Sequence, residues 1–246
     1  MVKKSLAFAF VALLALSSVS CAQLKARDNL LKGQQAFKNA KYEVAVNYFK
    51  QAMELDPSLT MAELYLATAY SQQFIPGSPS PENMKMADLA LQTFQSILSK
   101  EPNNASAIAG MAFIYQSTNQ FSKAREFYLK EAAIDPNNPV PLDAVASVDW
   151  TLVFNKLDPP PPDEQMKLVD EGIASADKSL AIKPDFDEAM TFKNLLLREK
   201  ARLTESEDEK TKLNAQADEW FAKALDTRKA NQEKKNKAAG GIHVDK

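Results

Sequence analysis

A fixed interval between a small residue and a proline constrains the fold of this 246-residue chain more than any other sequence feature. Each of four prolines is preceded, twelve positions earlier, by alanine or glycine. The pairs are Ala45 and Pro57, Ala90 and Pro102, Ala124 and Pro136, and Gly172 and Pro184. Proline ends helices because its ring removes the N–H donor and restricts the preceding residue. The interval therefore predicts four helices that end at the same distance from a small residue.

Aromatic residues accompany the alanines at helical spacing. A ring follows each alanine by four positions, and a further copy of the pair occurs later in the chain. The rings are Phe49, Phe94, Tyr128 and, after Ala217, Phe221. Residues four apart share one helix face, and a small residue beside a ring lets two helices approach closely. We expect packed helix pairs and no strands, because no stretch alternates apolar and polar residues.

The spacing resembles that of the tetratricopeptide repeat. The four prolines are 45, 34 and 48 residues apart, and 34 residues is the period of this helix-turn-helix unit. The resemblance covers about 26–229 and implies an all-α, right-handed α-solenoid of about five repeats. The repeats are expected at about 26–59, 60–104, 105–138, 139–186 and 187–229. Two departures stand out: Ala176 replaces the ring of repeat four, and Glu63 replaces the usual Trp of repeat two.

The family resemblance implies that a polypeptide binds in the concave surface formed by the first helices of the repeats. Stacking these helices as the family does predicts six inward-facing residues. They are Phe37, Leu64, Phe113, Ser147, Trp150 and Arg198. Relatives that clamp an acidic C-terminus use Lys and Asn where Leu30 and Gln34 stand here, so we do not expect that activity. The aromatic side chains instead suit an apolar or helical peptide. Trp150 either anchors this peptide or packs the neighbouring Pro-rich insert against the repeats.

The N-terminus has the pattern of a signal peptide, which we assign to residues 1–20. Lys3 and Lys4 precede an apolar run at 6–16, and small residues follow at 17–20. Cys21 stands where cleavage is expected, in a context that resembles the lipobox of bacterial lipoproteins. We therefore predict a lipid anchor on Cys21 and a short linker at 21–25, with the protein in the periplasm or at the outer membrane. The alternative is ordinary cleavage that releases a soluble secreted protein.

Three further segments depart from the repeat pattern. Pro-rich inserts at 74–83 and 157–164 separate first and second helices, and we interpret them as stiff spacers or, alternatively, as docking segments. From 230 the chain is rich in Lys, Asn and Gln. We expect a disordered polar tail at 230–246.

Residue counts argue against several kinds of chemistry. Cys21 and His243 are the only cysteine and the only histidine, so neither an intrachain disulfide nor a Cys/His zinc site can form. No Gly-rich phosphate loop occurs, and the net charge of −2 argues against a nucleic-acid binder. We therefore predict no catalytic, cofactor-binding or metal-binding residues, and no nucleotide or nucleic-acid partner.

Together these observations predict a non-catalytic interaction scaffold in the bacterial cell envelope, whose partner is a protein or peptide. An accessory lipoprotein of an envelope assembly complex, for outer-membrane protein insertion or pilus assembly, is the alternative. An enzyme is the weakest of the three hypotheses.

Overall fold

The computed structural model describes residues 21–155 and 160–240, and within them it contains ten α-helices and no strand. The helices are α1 (21–38), α2 (Tyr42–Leu55), α3 (Thr60–Gln73), α4 (Pro81–Lys100), α5 (Ala105–Ser117), α6 (Phe121–Ile134), α7 (Pro139–Phe154), α8 (Pro162–Ile182), α9 (Asp187–Leu203) and α10 (Glu207–Gly240). The all-α class predicted from the sequence is confirmed. The predicted signal peptide at 1–20 and residues 156–159 of the second insert lie outside the described residues.

The helix ends follow from local chemistry. Each of α2, α4, α6 and α8 ends two residues before one of the four prolines, because the residue before a proline avoids the helical region. Asn104 and Asn138 then begin α5 and α7, and their side-chain oxygens accept hydrogen bonds from the backbone N–H of Ala107 and Val140. The turns between repeats are thus specified by residues within a few positions of each proline.

The first Pro-rich insert is held against α4. Asn83 accepts a hydrogen bond from the N–H of Ile75 at 2.6 Å and donates to the carbonyls of Ile75 and Ser78 at 2.9 and 2.8 Å. Ser80 caps α4 by accepting from the N–H of Asn83. These bonds favour the interpretation of this insert as a structural connection.

The helices divide into two units, residues 1–118 and 119–246, which are described separately. In the first unit, small residues make room for rings. Phe49 of α2 is fully buried, and a Cβ added to Gly33 of α1 would lie 2.4 Å from its ring. Glu63 is buried on α3, where Ser96 and Lys100 of α4 donate hydrogen bonds to its carboxylate at 2.5 and 2.7 Å. Glu63, the unusual acidic residue of repeat two, therefore joins α3 to α4 through these hydrogen bonds.

In the second unit, a cluster of buried side chains joins α7, α8 and α9. Its members are Ala146, Val153, Val169, Ala176 and Leu196. Phe192 of α9 packs against this cluster. A ring from the following repeat thus lies against the cluster that contains Ala176, although α8 lacks the expected aromatic residue.

The structure corrects three predicted boundaries. Residues 21–25 are the beginning of α1 rather than a linker, because their Ala, Gln, Leu and Lys side chains favour helix. Both inserts are shorter than expected, since Pro81 and Pro162 already begin helices, as proline readily does. The predicted disordered tail is wrong for 230–240, because α10 continues to Gly240 and Asn231 donates hydrogen bonds to the carbonyl of Asp185 and to Oδ1 of Asp187. Residues 241–246 lie outside the described part of the chain.

Candidate partner-binding surface

The six residues predicted to face a groove all lie outside the buried core of their units. In the first unit, Phe37 on α1 and Leu64 on α3 are half-buried, and Phe113 on α5 is 45% exposed. The Phe37 ring lies edge-on to those of Tyr42 and Tyr65, with centroids 5.3 and 6.1 Å away. These first-helix side chains are accessible to a partner, and their role in binding stays a prediction.

In the second unit, Ser147 and Trp150 lie on α7 and are half-buried, whereas Arg198 lies on α9 and is exposed. The Trp150 ring stacks on that of Phe154, with centroids 4.8 Å apart and planes inclined by 20°. Its centroid is 6.3 Å from that of Phe192 on α9. Trp150 also packs against the buried cluster of this unit. It therefore contributes to the contact between α7 and α9 while part of its surface stays accessible.

Phe154 is a site residue that our sequence reasoning did not select. It is 50% exposed and follows Ser147 and Trp150 at positions i, i+3 and i+7, which share one helix face. That spacing was the signal available in the sequence. We call Trp150, Phe154 and Phe192 the aromatic patch.

Arg198 has a structural role that its position in the sequence did not reveal. Its Nη2 donates to Oδ1 of Asp218 on α10 at 2.7 Å, and its Nε donates to Oδ1 of Asn194 at 3.0 Å. The guanidinium thus links α9 to α10, which leaves it less free to bind a partner than a solvated arginine would be.

An acidic group lies near the beginning of α7 and α9. Burial, together with the nearby charges of Glu188 and Asp187, raises the pKa of Asp143 to about 7. Oδ1 of Asp143 is shielded from solvent and accepts no hydrogen bond from the described residues. Burial also opposes the charged form of Asp187, but hydrogen bonds from Arg228 and Asn231 outweigh it and lower the pKa of that carboxyl. Asp143 therefore differs from Asp187 in having a shielded carboxylate oxygen without a hydrogen-bond donor among the described residues.

The described residues show no site for catalysis by a bound metal and no helix that spans a bilayer. Among them, no three His, Cys, Asp or Glu side chains come together as metal ligands. None of their helices combines the length and the apolar character needed to cross a membrane. The described first helices do carry accessible aromatic side chains, among them Phe113, Trp150 and Phe154.

Models of a known protein family match the repeats of this chain. Two models of the tetratricopeptide repeat match residues 29–59 and 84–147. The uncharacterized protein ycf37 of Guillardia theta is 28% identical over 115 residues, which are 46% of this chain and 60% of that protein. The match thus spans less than two thirds of the relative's length.

Solved structures share the fold. MamA of Desulfovibrio magneticus RS-1, from residue 41 to its end, has a TM-score of 0.61 at 13% identity, covering 84% of this chain and 96% of that chain. YrrB, a tetratricopeptide repeat protein with an unusual peptide-binding site, has a TM-score of 0.57 at 16% identity, covering 81% and 84%. At these identities the likeness concerns the fold alone. The proline spacing, the successive helix pairs and the two matching repeat models show that this chain contains tetratricopeptide repeats, at 29–59 and 84–147.

Proposed function

We propose that this protein is a non-catalytic scaffold that binds a segment of another polypeptide on the first helices of its repeats. The observation that carries the proposal is the aromatic patch of the second unit, where Phe154 is half exposed beside a Trp150 ring that is only partly covered. Large rings are the residue type that most often anchors an interface, because they bury much apolar area at little cost in side-chain entropy.

The chemistry of this surface favours an apolar or helical segment as the partner. The aromatic patch provides apolar area, and the guanidinium of Arg198 is already bonded to Asp218 and Asn194. An amphipathic helix that lays its apolar side on such rings is a common mode of recognition. The peptide-binding site of YrrB is a precedent for peptide binding by this fold.

We further propose that the scaffold works in the bacterial cell envelope, anchored through Cys21. The support is the charged, apolar and small-residue pattern of 1–20, together with a single cysteine at its end. Cys21 is exposed at the beginning of the described chain. An accessory role in an envelope assembly complex is the alternative within this proposal, and stable co-purification with such a complex would favour it.

Phe154→Ala tests the binding proposal. Trp150 is a less useful probe because its ring also packs against the buried cluster, so that its loss would destabilise the fold. Loss of an interface anchor weakens binding by about 2 kcal/mol or more, which is roughly thirtyfold. We expect this loss when the purified variant is used to capture partners from envelope extract, with the melting temperature unchanged.

Leu129→Ala on α6 is the matched control, since Leu129 is an apolar side chain of similar exposure outside the aromatic patch. Its capture of partners is expected to equal that of the wild type. Equal capture by the Phe154→Ala variant and the wild type would rule out the aromatic patch as the binding surface.

A further inference from the structure

Successive repeats of this chain meet through one recurring pair of positions, sixteen residues apart. Phe49 of α2 stacks on Tyr65 of α3 with ring centroids 5.5 Å apart. Atoms of the Phe94 ring lie 2.3–2.8 Å from the place of a Cβ on Gly110 of α5. A ring on a second helix therefore packs against the residue sixteen positions later, on the first helix that follows it.

Leu31 occupies, in α1, the first-helix position that Tyr65 occupies in α3. It lies 34 residues, one repeat period, before Tyr65. Its side chain is 64% exposed, whereas the Tyr65 ring is half-buried against Phe49. Leu24, one further heptad back on the same helix face, is also exposed.

Phe221 occupies the ring position in α10. It follows the buried Ala217 by four residues, as Phe49 follows Ala45. Phe49 is fully buried, but Phe221 is 49% exposed, and so is Leu225 one turn later. The chain therefore presents both halves of its own inter-repeat contact, a first-helix half on α1 and a second-helix half on α10.

The charges of α1 and of the 207–226 part of α10 are complementary. Helix α1 carries four basic residues against one acidic residue in 21–38, a net charge of +3. The 207–226 part of α10 carries six acidic against three basic residues, a net charge of −3. Opposite charges favour the encounter of these two stretches.

From these observations we propose that the protein assembles with a second copy of itself, α1 of one copy packing on α10 of the next through Leu31 and Phe221. The short 56–59 turn makes α2 and α3 antiparallel, and the same orientation directs Lys32 and Lys38 of one copy toward the acidic part of α10 on the other. Because the two contact faces differ, the contact is heterologous, and copies can be added until the assembly closes on itself.

Leu31→Asp and Phe221→Asp test the assembly. Leu31 is largely exposed and Phe221 is half exposed, so the variants are expected to fold, which circular dichroism and the melting temperature check. The full chain is expressed with its own N-terminal segment, purified in detergent and weighed by light scattering after size exclusion. The wild type is expected to form species whose mass rises with concentration, while each variant alone stays monomeric or associates at least tenfold more weakly.

Mixing the two variants makes the test specific. The intact α10 of the Leu31→Asp variant can pack on the intact α1 of the Phe221→Asp variant, so the mixture is expected to give a dimer and nothing larger. Ile75→Asp, which changes an exposed apolar residue outside both faces, is expected to assemble like the wild type. A monomeric wild type, or a Leu31→Asp variant that still dimerises alone, would overturn the proposal.

Discussion

Arg125 on α6 donates hydrogen bonds from Nε and Nη2 to both carboxylate oxygens of Asp149 on α7, whose side chain is fully buried. The same Nη2 donates to Oε2 of Glu171 on α8 at 2.6 Å. Burial, with a smaller contribution from the charge of Glu171, raises the pKa of Asp149 to about 6 against the lowering effect of Arg125. One guanidinium therefore links three successive helices and compensates a carboxylate that water does not reach.

Arg125→Met is expected to lower the free energy of unfolding by about 3–5 kcal/mol, because it leaves Asp149 buried without its cation. Lys130→Met is the control, since it breaks an exposed pair with Glu126 that contributes less than about 1 kcal/mol. Urea unfolding of the two variants measures the difference. Adding Asp149→Leu to Arg125→Met is expected to recover most of the loss, and equal losses in Arg125→Met and Lys130→Met would contradict this account.

Asp143 makes the stability depend on pH. Its pKa is about 7 in the folded protein and about 4 in an unfolded chain. Between these values the folded state keeps a proton that the unfolded state has released, so the free energy of unfolding falls as the pH rises from about 4 to about 7.

Asp143→Asn removes this titration, and we expect the variant to be more stable than the wild type at pH 8 but not at pH 4. The gain at pH 8 has an upper bound of about 4 kcal/mol, from about 1.4 kcal/mol for each pH unit between the two pKa values. Denaturant unfolding at several pH values measures the slope for both proteins. Parallel curves would show that Asp143 does not titrate in this range.

Gly33→Ala is expected to destabilise the first unit. Alanine favours a helix over glycine by about 1 kcal/mol, but the added Cβ would lie 2.4 Å from the buried Phe49 ring. Overpacking of this kind costs about 1–3 kcal/mol, and the rigid ring cannot move away within a buried site, so we expect a net loss in thermal unfolding.

A double-mutant cycle that combines Gly33→Ala with Phe49→Leu tests this explanation. A smaller side chain leaves room for the new methyl group, so Gly33→Ala is expected to cost less in the Phe49→Leu background than in the wild type. The same cost in both backgrounds would mean that the Phe49 ring is not what excludes a side chain at position 33.

Cys21→Ser tests the predicted lipid anchor. A lipoprotein held by several acyl chains stays with the membrane, so the wild type is expected in the membrane fraction and the variant in the soluble envelope fraction. Intact-mass measurement of the wild type reports acylation directly. A wild-type protein that is soluble after export and begins at Ala22 or Gln23 would refute the anchor.

Much of the local structure could be predicted from the sequence. The ends of α2, α4, α6 and α8 depend on prolines two residues away, and Ala45, Ala90 and Ala124 are fully buried as the small-residue interval predicts. The polar composition of 230–240 does not indicate a helix, and the contact of Asn231 with Asp185 and Asp187 that holds this stretch depends on tertiary packing.

The candidate site was less accessible to sequence reasoning. Trp150 could be singled out as an accessible aromatic residue, and Phe154 lies one turn later on the same helix, but the position of Phe192 beside Trp150 depends on how α7 packs on α9. The charges nearest Asp143 are acidic, and they come from residues more than forty positions away, at the beginning of α9. No pattern within one helix contains that information.

Phe49 and Phe221 show the difference between what the local sequence pattern predicts and what tertiary packing adds. The amino-acid pattern places both rings four residues after a small residue on a second helix, because helical periodicity and the effect of proline are local properties of the backbone. The folded structure buries Phe49 fully and leaves Phe221 half exposed. This difference arises because a ring is covered only where another helix packs on it, and that packing involves residues beyond the motif.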